Sequence, residues 1–179
     1  MMKKNKINNS AGFTFAELMV VIAIVGVLSA FGVPSFLRGM PERRLKNATR
    51  TLYADLQKAR LLGVKENKTI TVTFDTGAGK YSYPEGGGVK EVDLVEIYSD
   101  VSYGCNAAVK NAWRQSVDVP DDTIPSSGVT DNIDFTNLGQ ANSEDIYLQS
   151  KNDETVCYAV TVSPLGVVKI LRYSDSVWK

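Results

Sequence analysis

The chain opens polar, turns continuously apolar, and then becomes periodic. From Phe13 to Leu37 it reads FTFAELMVVIAIVGVLSAFGVPSFL, with Glu17 as the one ionisable side chain. About 20 apolar residues in a helix cover roughly 30 Å of hydrocarbon, so this run predicts a membrane-crossing helix over 13–37. After Pro41, Leu45, Ala48, Leu52, Leu56 and Ala59 recur at spacings of three and four, while Arg43, Lys46, Asn47, Arg50 and Lys58 fall largely on other faces. That spacing predicts an amphipathic helix over 38–64 with one face on a core. A continuous helix from Phe13 to Leu62 would be roughly 75 Å long. Pro34 lacks the N–H of an interior helical residue and is the expected kink, with Gly26, Gly32 and Gly39 adding softness.

Beyond Gly63 the period falls to two. Thr69 to Phe74 alternates polar and apolar residues, and further strands are expected at Val92 to Tyr98, Ile133 to Leu138, Ile146 to Gln149, Val156 to Val162 and Val167 to Tyr173. The last two flank Ser163-Pro164-Leu165-Gly166, whose Pro and Gly favour a hairpin turn. The fold class expected is α+β, with a long N-terminal helix packed on a mainly antiparallel β-sheet head. The expected domains are a leader over 1–12, a transmembrane or filament-core helix over 13–37, the amphipathic helix over 38–64, and a β-rich head over 65–179.

Charge changes the picture by its placement. Lysines and arginines equal aspartates and glutamates at 20 each, yet Lys3, Lys4 and Lys6 precede the apolar run, so the chain without residues 1–12 holds 17 basic against 20 acidic residues. A mildly acidic exported part does not favour nucleic acid as a partner, although Lys110, Arg114, Lys169, Arg172 and Lys179 remain a candidate basic patch. Orientation is ambiguous from charge alone, because Arg38, Arg43, Arg44 and Lys46 follow the apolar segment as closely as the lysines precede it. Histidine is absent, which removes the commonest general base near neutral pH and the commonest zinc ligand. No cofactor or metal is expected, and an enzyme or a tethered sensor is the disfavoured alternative class.

Glu17 discriminates between a plain anchor, a secretory signal and something more specific. A secretory signal has an apolar region of about 7 to 15 residues ending in a small-residue cleavage site, shorter than this one. A carboxylate in apolar surroundings costs several kcal/mol unless it is paired or protonated. Cleavage between Gly12 and Phe13 would create the missing cation, an ammonium on Phe13 four residues before Glu17, available to the same subunit or to a neighbour displaced along the axis.

The run Gly12-Phe13-Thr14-Phe15-Ala16-Glu17-Leu18-Met19-Val20-Val21-Ile22-Ala23-Ile24 resembles the processing site of type IV pilins and type II secretion pseudopilins. Phe15 stands where that pattern has Leu, and the twelve-residue leader is somewhat long. The resemblance implies recognition of Gly12 and Phe13 by prepilin peptidase, N-methylation of Phe13, and use of Glu17 in filament assembly. It further implies insertion in membrane lipid before assembly, an inner-membrane assembly platform as partner, a head in the bacterial periplasm, and other pilin or pseudopilin subunits as neighbours. Leu56-Gln57-Lys58-Ala59-Arg60, Asn67, Ile133 to Gly139 and Tyr158 to Gly166 are similar to GspH/FimT-type minor pilins and pseudopilins. The function implied is a structural subunit of a pilus or pseudopilus, at the tip or in initiation, and the alternative within the family is a DNA-uptake subunit.

The remaining motifs read as structure. Gly77-Ala78-Gly79-Lys80 lacks the flanking residues of a phosphate loop, Gly86-Gly87-Gly88 reads as a flexible loop, and Asp121, Asp122, Asp131, Asp134, Glu144, Asp145, Asp153 and Glu154 lack calcium-loop spacing. Trp113 and Trp178 have no neighbouring basic cluster. Cys105 and Cys157 would pair in an oxidising periplasm, closing a loop of about 53 residues worth ~4 kcal/mol, and two buried thiols are the alternative.

Overall fold

A computed structural model describes residues 13–105, 130–174 and 177–179. The chain divides between Gly39 and Met40 into two compact units. The first holds helix α1, Phe15–Arg38, which runs through Pro34 and ends at Gly39. The second opens with helix α2, Met40–Glu66.

In α2 the apolar spacing becomes a buried stripe, because residues three and four apart share one face. Leu45, Ala48, Leu52, Leu56 and Ala59 are fully buried, joined by Thr49, Asp55 and Gly63. The helix continues past Gly63, where the sequence period changes, and ends at Asn67, whose φ of 50° turns the chain out of the helix. Gly63 is needed for close approach: a Cβ there would stand 3.1 Å from the carbonyl oxygens of both Phe135 and Thr136.

Two antiparallel sheets take up the rest. The first has the order β3-β2-β1-β5, from Gly88–Asp93, Lys80–Glu85, Ile70–Asp75 and Thr130–Phe135. The second has the order β4-β6-β7-β8-β9, from Val101–Tyr103, Glu144–Ser150, Asp153–Val162, Val168–Ser174 and Val177–Trp178. The period of two sorts side chains between faces. Ile70, Val72 and Phe74 of β1 enter one main core with Ile146 and Leu148 of β6, Tyr158 and Val160 of β7, and the stripe of α2. Tyr147, Cys157, Ala159, Tyr173 and Trp178 form a second cluster on alternate positions of the same strands. The expected hairpin joins β7 to β8, with Gly166 N–H donating to Ser163 O at 2.7 Å.

Three local expectations are corrected. The run Val92 to Tyr98 is not one strand: β3 stops at Asp93, whose carboxylate accepts from Glu96 N–H at 2.7 Å and caps a single helical turn, α3, Leu94–Ile97. An aspartate at that position offers the backbone an N-cap in place of the ladder. The loop expected at Gly86-Gly87-Gly88 is shorter than the three glycines, because Gly88 already belongs to β3. Gly86 and Gly87, with φ of 60° and 85°, form the two-residue turn of the β2–β3 hairpin, a conformation that calls for positive φ at both positions. The strand expected over Ile133 to Leu138 ends at Phe135, because Thr136 N–H turns back to Gln140 O at 2.8 Å. Strands β2 and β4 have no counterpart among the expected strands: β2 carries Pro84 and β4 is three residues long.

Candidate assembly site

The site suggested by the sequence is the start of α1. Gly12 lies outside the described residues. Phe13 precedes the helix and is 81% exposed. Thr14 is the N-cap, with φ −79° and ψ 153°, and its hydroxyl oxygen accepts from Glu17 N–H at 3.2 Å. Thr14-Phe15-Ala16-Glu17 therefore has the S/T-x-x-E pattern of a capping box, a signal present in the sequence that the processing motif had overshadowed. The cap sets Glu17 in the first turn, where a carboxylate faces the positive end of the helix dipole. Phe15–Gly32 is long and apolar enough to cross a membrane, and none of that stretch is buried within the chain. At 1.5 Å per residue α1 is about 36 Å long. Such a surface requires lipid or other helices around it.

The second unit is held by a cross-link and by a hydrogen-bonded cluster around the buried Asp55. Cys105 and Cys157 are disulfide-bonded, with Cα atoms 6.0 Å apart across 52 residues of sequence. On the buried face of α2, Asp55 accepts from Tyr81 OH at 2.6 Å, Tyr83 OH at 2.8 Å and Lys90 Nζ at 3.0 Å. Burial works against its charge, but the hydrogen bonds from Tyr81, Lys90 and Tyr83 outweigh that and hold the carboxyl below its ordinary value. Burial and the Asp55 carboxylate push the Tyr81 phenol far up; burial is also the leading cause that raises Tyr83 to about 12. Asp55 and Lys90 also line a cleft of about 590 Å³, together with Thr51, Glu96 and Ile97 among others. Each carboxylate oxygen is already engaged, so the cluster ties α2 to the β2–β3 hairpin and offers no free base. Sequence reading missed Asp55 because its charge stands on the apolar stripe and its partners arrive from 26 to 35 residues away.

Other sequence candidates disperse. Lys110 and Arg114 lie outside the described residues, as do Trp113, Asp121 and Asp122. Arg172 is committed to Glu42 at 2.8 Å, so the basic patch is partly neutralised. Trp178 packs on Tyr147 and Tyr173 at ring-centroid distances of 5.7 and 5.1 Å. Gly77 to Gly79 lie in the turn between β1 and β2, where Ala78 N–H donates to Asp75.

Comparison with known proteins places this architecture. Residues 48–166 match the family profile described as type II transport protein GspH, and residues 7–33 match the prokaryotic N-terminal methylation motif. The chain belongs to the GspH family. With the methylation motif, this places it in the type IV pilin and pseudopilin superfamily. This GspH-family chain is 34% identical over 105 residues to the type IV major pilin protein PilE1 of Neisseria gonorrhoeae, covering 55% of this chain and 62% of that one. It is 28% identical over 102 residues to the type IV major fimbrial protein FimA of Dichelobacter nodosus, covering 52% and 62%. The match thus spans under two thirds of those relatives. Among solved structures, the type IV minor pilin FimU of Pseudomonas aeruginosa aligns at a TM-score of 0.49 with 14% identity, over 77% of this chain and 94% of that one. The minor pseudopilin EpsH of the Vibrio cholerae type 2 secretion system aligns at 0.48 with 11% identity, over 72% and 96%.

Proposed function

We propose that this protein is a minor pilin or pseudopilin, a non-enzymatic structural subunit that is inserted in the inner membrane, processed by prepilin peptidase between Gly12 and Phe13, and methylated on Phe13. It then leaves the membrane for a filament, at the tip or during initiation, through an inner-membrane assembly platform. Residues 13–37 serve as the shared apolar core of that filament, 38–64 join it to the head, and 65–179 form the periplasmic head. Pro34, which cannot donate a helical hydrogen bond, is where the core helix bends.

The observation that carries this reading is the Phe15–Gly32 stretch of α1, apolar and unburied within the chain, with Glu17 as its one carboxylate and Thr14 capping the helix through the Glu17 backbone N–H. Lipid covers such a helix before assembly. Other subunits' helices cover it afterwards, and the ammonium of a processed Phe13 neutralises Glu17 at low dielectric, where an ion pair must be complete to be tolerated. The methylation-motif match over the same residues supports the cleavage step.

Intact-mass spectrometry of membrane-extracted protein, produced with and without a prepilin peptidase, tests the reading. Peptidase-dependent loss of residues 1–12 is the expected result. An uncut chain in the presence of active peptidase overturns it.

A further inference from the structure

Charge is unevenly placed along this chain. Residues 38–50 hold five basic side chains and one acidic, whereas 67–179 hold nine basic against 16 acidic. The basic group follows the apolar run directly, and the filament-core role of α1 makes no use of it. Tertiary structure decides which of its charges are spent. Arg44 pairs with Asp100 at 3.0 Å, and Glu42, the one acid of the segment, pairs with Arg172 at 2.8 Å. Glu42 would otherwise be the partner of Lys46, four residues on along the helix. Lys46 and Arg50 are exposed and form no ion pair among the described residues.

Arg43, Lys46 and Arg50, spaced three and four apart, share one exposed face of α2, opposite the buried Leu45, Ala48 and Leu52. Farther along, the same face carries Ala54, Gln57 and Leu61, with no charge. The basic face is therefore confined to about 10 Å of helix, in the turns nearest the apolar span. At about 36 Å, α1 exceeds a hydrocarbon core of roughly 30 Å, so a membrane-crossing α1 brings its Arg38 end to the headgroup layer. Five residues, at most about 18 Å of chain, separate Arg38 from Arg43, so the basic face begins within reach of that layer at any angle between the two helices. An acidic protein would also attract these cations, yet would not require them beside the span.

We propose that Arg43, Lys46 and Arg50 form a collar that binds anionic phospholipid headgroups of the leaflet from which α2 emerges, and so holds the unassembled subunit at the membrane surface. The same surface repels the acidic head, which leaves the contact to the collar. Attraction to anionic lipid is about fivefold per basic residue and fades within a Debye length, so salt weakens it. The collar rests on the membrane-inserted subunit reading given above.

The test uses the full-length chain carrying Asn47→Cys, an exposed position within the basic face. Cys105 and Cys157 are bonded to each other, so a thiol-reactive fluorophore labels position 47 alone. The chain is reconstituted in phosphatidylcholine vesicles that contain a headgroup-attached quencher and a rising fraction of phosphatidylglycerol. Quenching should increase with phosphatidylglycerol and be relieved by high salt. The phosphatidylglycerol fraction at half-maximal quenching should rise at least about fivefold when Lys46→Gln and Arg50→Gln are combined, and stay unchanged in Lys46→Arg. Both glutamine substitutions lie on the exposed face, away from the core, and the charge-conserving variant separates loss of charge from loss of fold. Quenching indifferent to phosphatidylglycerol, or to the glutamine substitutions, overturns the collar. Depletion of the glutamine variant from sheared filaments, together with lipid-independent quenching, also overturns it and assigns the charges to an acidic protein surface. Resistance to carbonate extraction is read on the same vesicles: an inserted chain without lipid-dependent quenching overturns the collar alone, whereas an extractable chain overturns the membrane-subunit reading.

Discussion

Asp55 of α2 and Tyr81 of β2 meet through a 2.6 Å hydrogen bond between two buried side chains, the charge-assisted contact that fixes the helix over the first sheet. Its strength comes from the ionised acceptor and the low local dielectric around it. The same geometry makes removal of one partner expensive, since the others stay behind without it.

Asp55→Ala leaves two phenols and Lys90 without their acceptor. We expect a loss of about 2–3 kcal/mol, with the Lys90 share kept small because its ammonium reaches solvent. Thermal unfolding of the detergent-solubilised chain measures this as a fall of several degrees in Tm. A fall no larger than that of an exposed substitution such as Lys46→Ala would show that the cluster adds nothing.

The same cluster sets a pH dependence. The Asp55 carboxyl is held below its ordinary value of 3.8, so its contribution is fully present above that value and is lost as pH falls through it toward the folded-state pKa. Tyr83 is raised to about 12 from 10.0, so its contribution is present below pH 10 and disappears as pH rises toward 12. Stability of the wild-type chain should decline at both extremes, and Asp55→Asn should flatten the acid limb attributable to this group. Equal acid slopes in both proteins would contradict the assignment.

Gly166 has φ of 69°, and a Cβ there would lie 1.8 Å from Gly139 O. Backbone cannot move aside as a side-chain tip can, so Gly166→Ala should cost at least about 2 kcal/mol through strain and overlap. Gly86→Ala meets nothing within 4 Å and bears only the φ penalty, about 1 kcal/mol. Denaturant midpoints of the two variants should rank in that order; the reverse order would place the strain elsewhere.

The Cys105–Cys157 bond closes a span of 52 residues and ties the end of β4 to β7, although β4 is only three residues long. Its removal should cost about 2–4 kcal/mol. Cys157→Ser and reductant-treated wild type should unfold at the same temperature, both below the oxidised protein. A reductant effect persisting in Cys157→Ser would point to another cause.

Glu17→Gln keeps size and hydrogen bonding to the helix start but removes the charge. On the proposed role, the variant should still insert and lose residues 1–12, yet be depleted from sheared filaments relative to membranes, measured by immunoblot of both fractions. Undiminished incorporation would detach Glu17 from assembly.

Local pattern determined a good part of this protein. The unbroken apolar run, its single carboxylate, the three-and-four spacing of Leu45 to Ala59 and the alternation of Ile70, Val72 and Phe74 were legible because each depends on neighbours within one or two turns of chain. Thr14 as a helix cap was legible on the same terms. Tertiary structure decided the rest. Leu94 to Ile97 fits a strand pattern, and only the Asp93 carboxylate, together with Leu94 N–H donating to Gly79 O, turns it into a helix. Asp55 looks like an error on an apolar stripe until Tyr81, Tyr83 and Lys90 arrive from another hairpin. Gly63 looks like the end of a helix until the carbonyls of Phe135 and Thr136 show why nothing larger fits. The Asp93 cap is local, but Gly79 O, the partners of Asp55 and the carbonyls beside Gly63 are remote in sequence; their approach is set by how the chain packs, and periodicity along it carries no record of that approach.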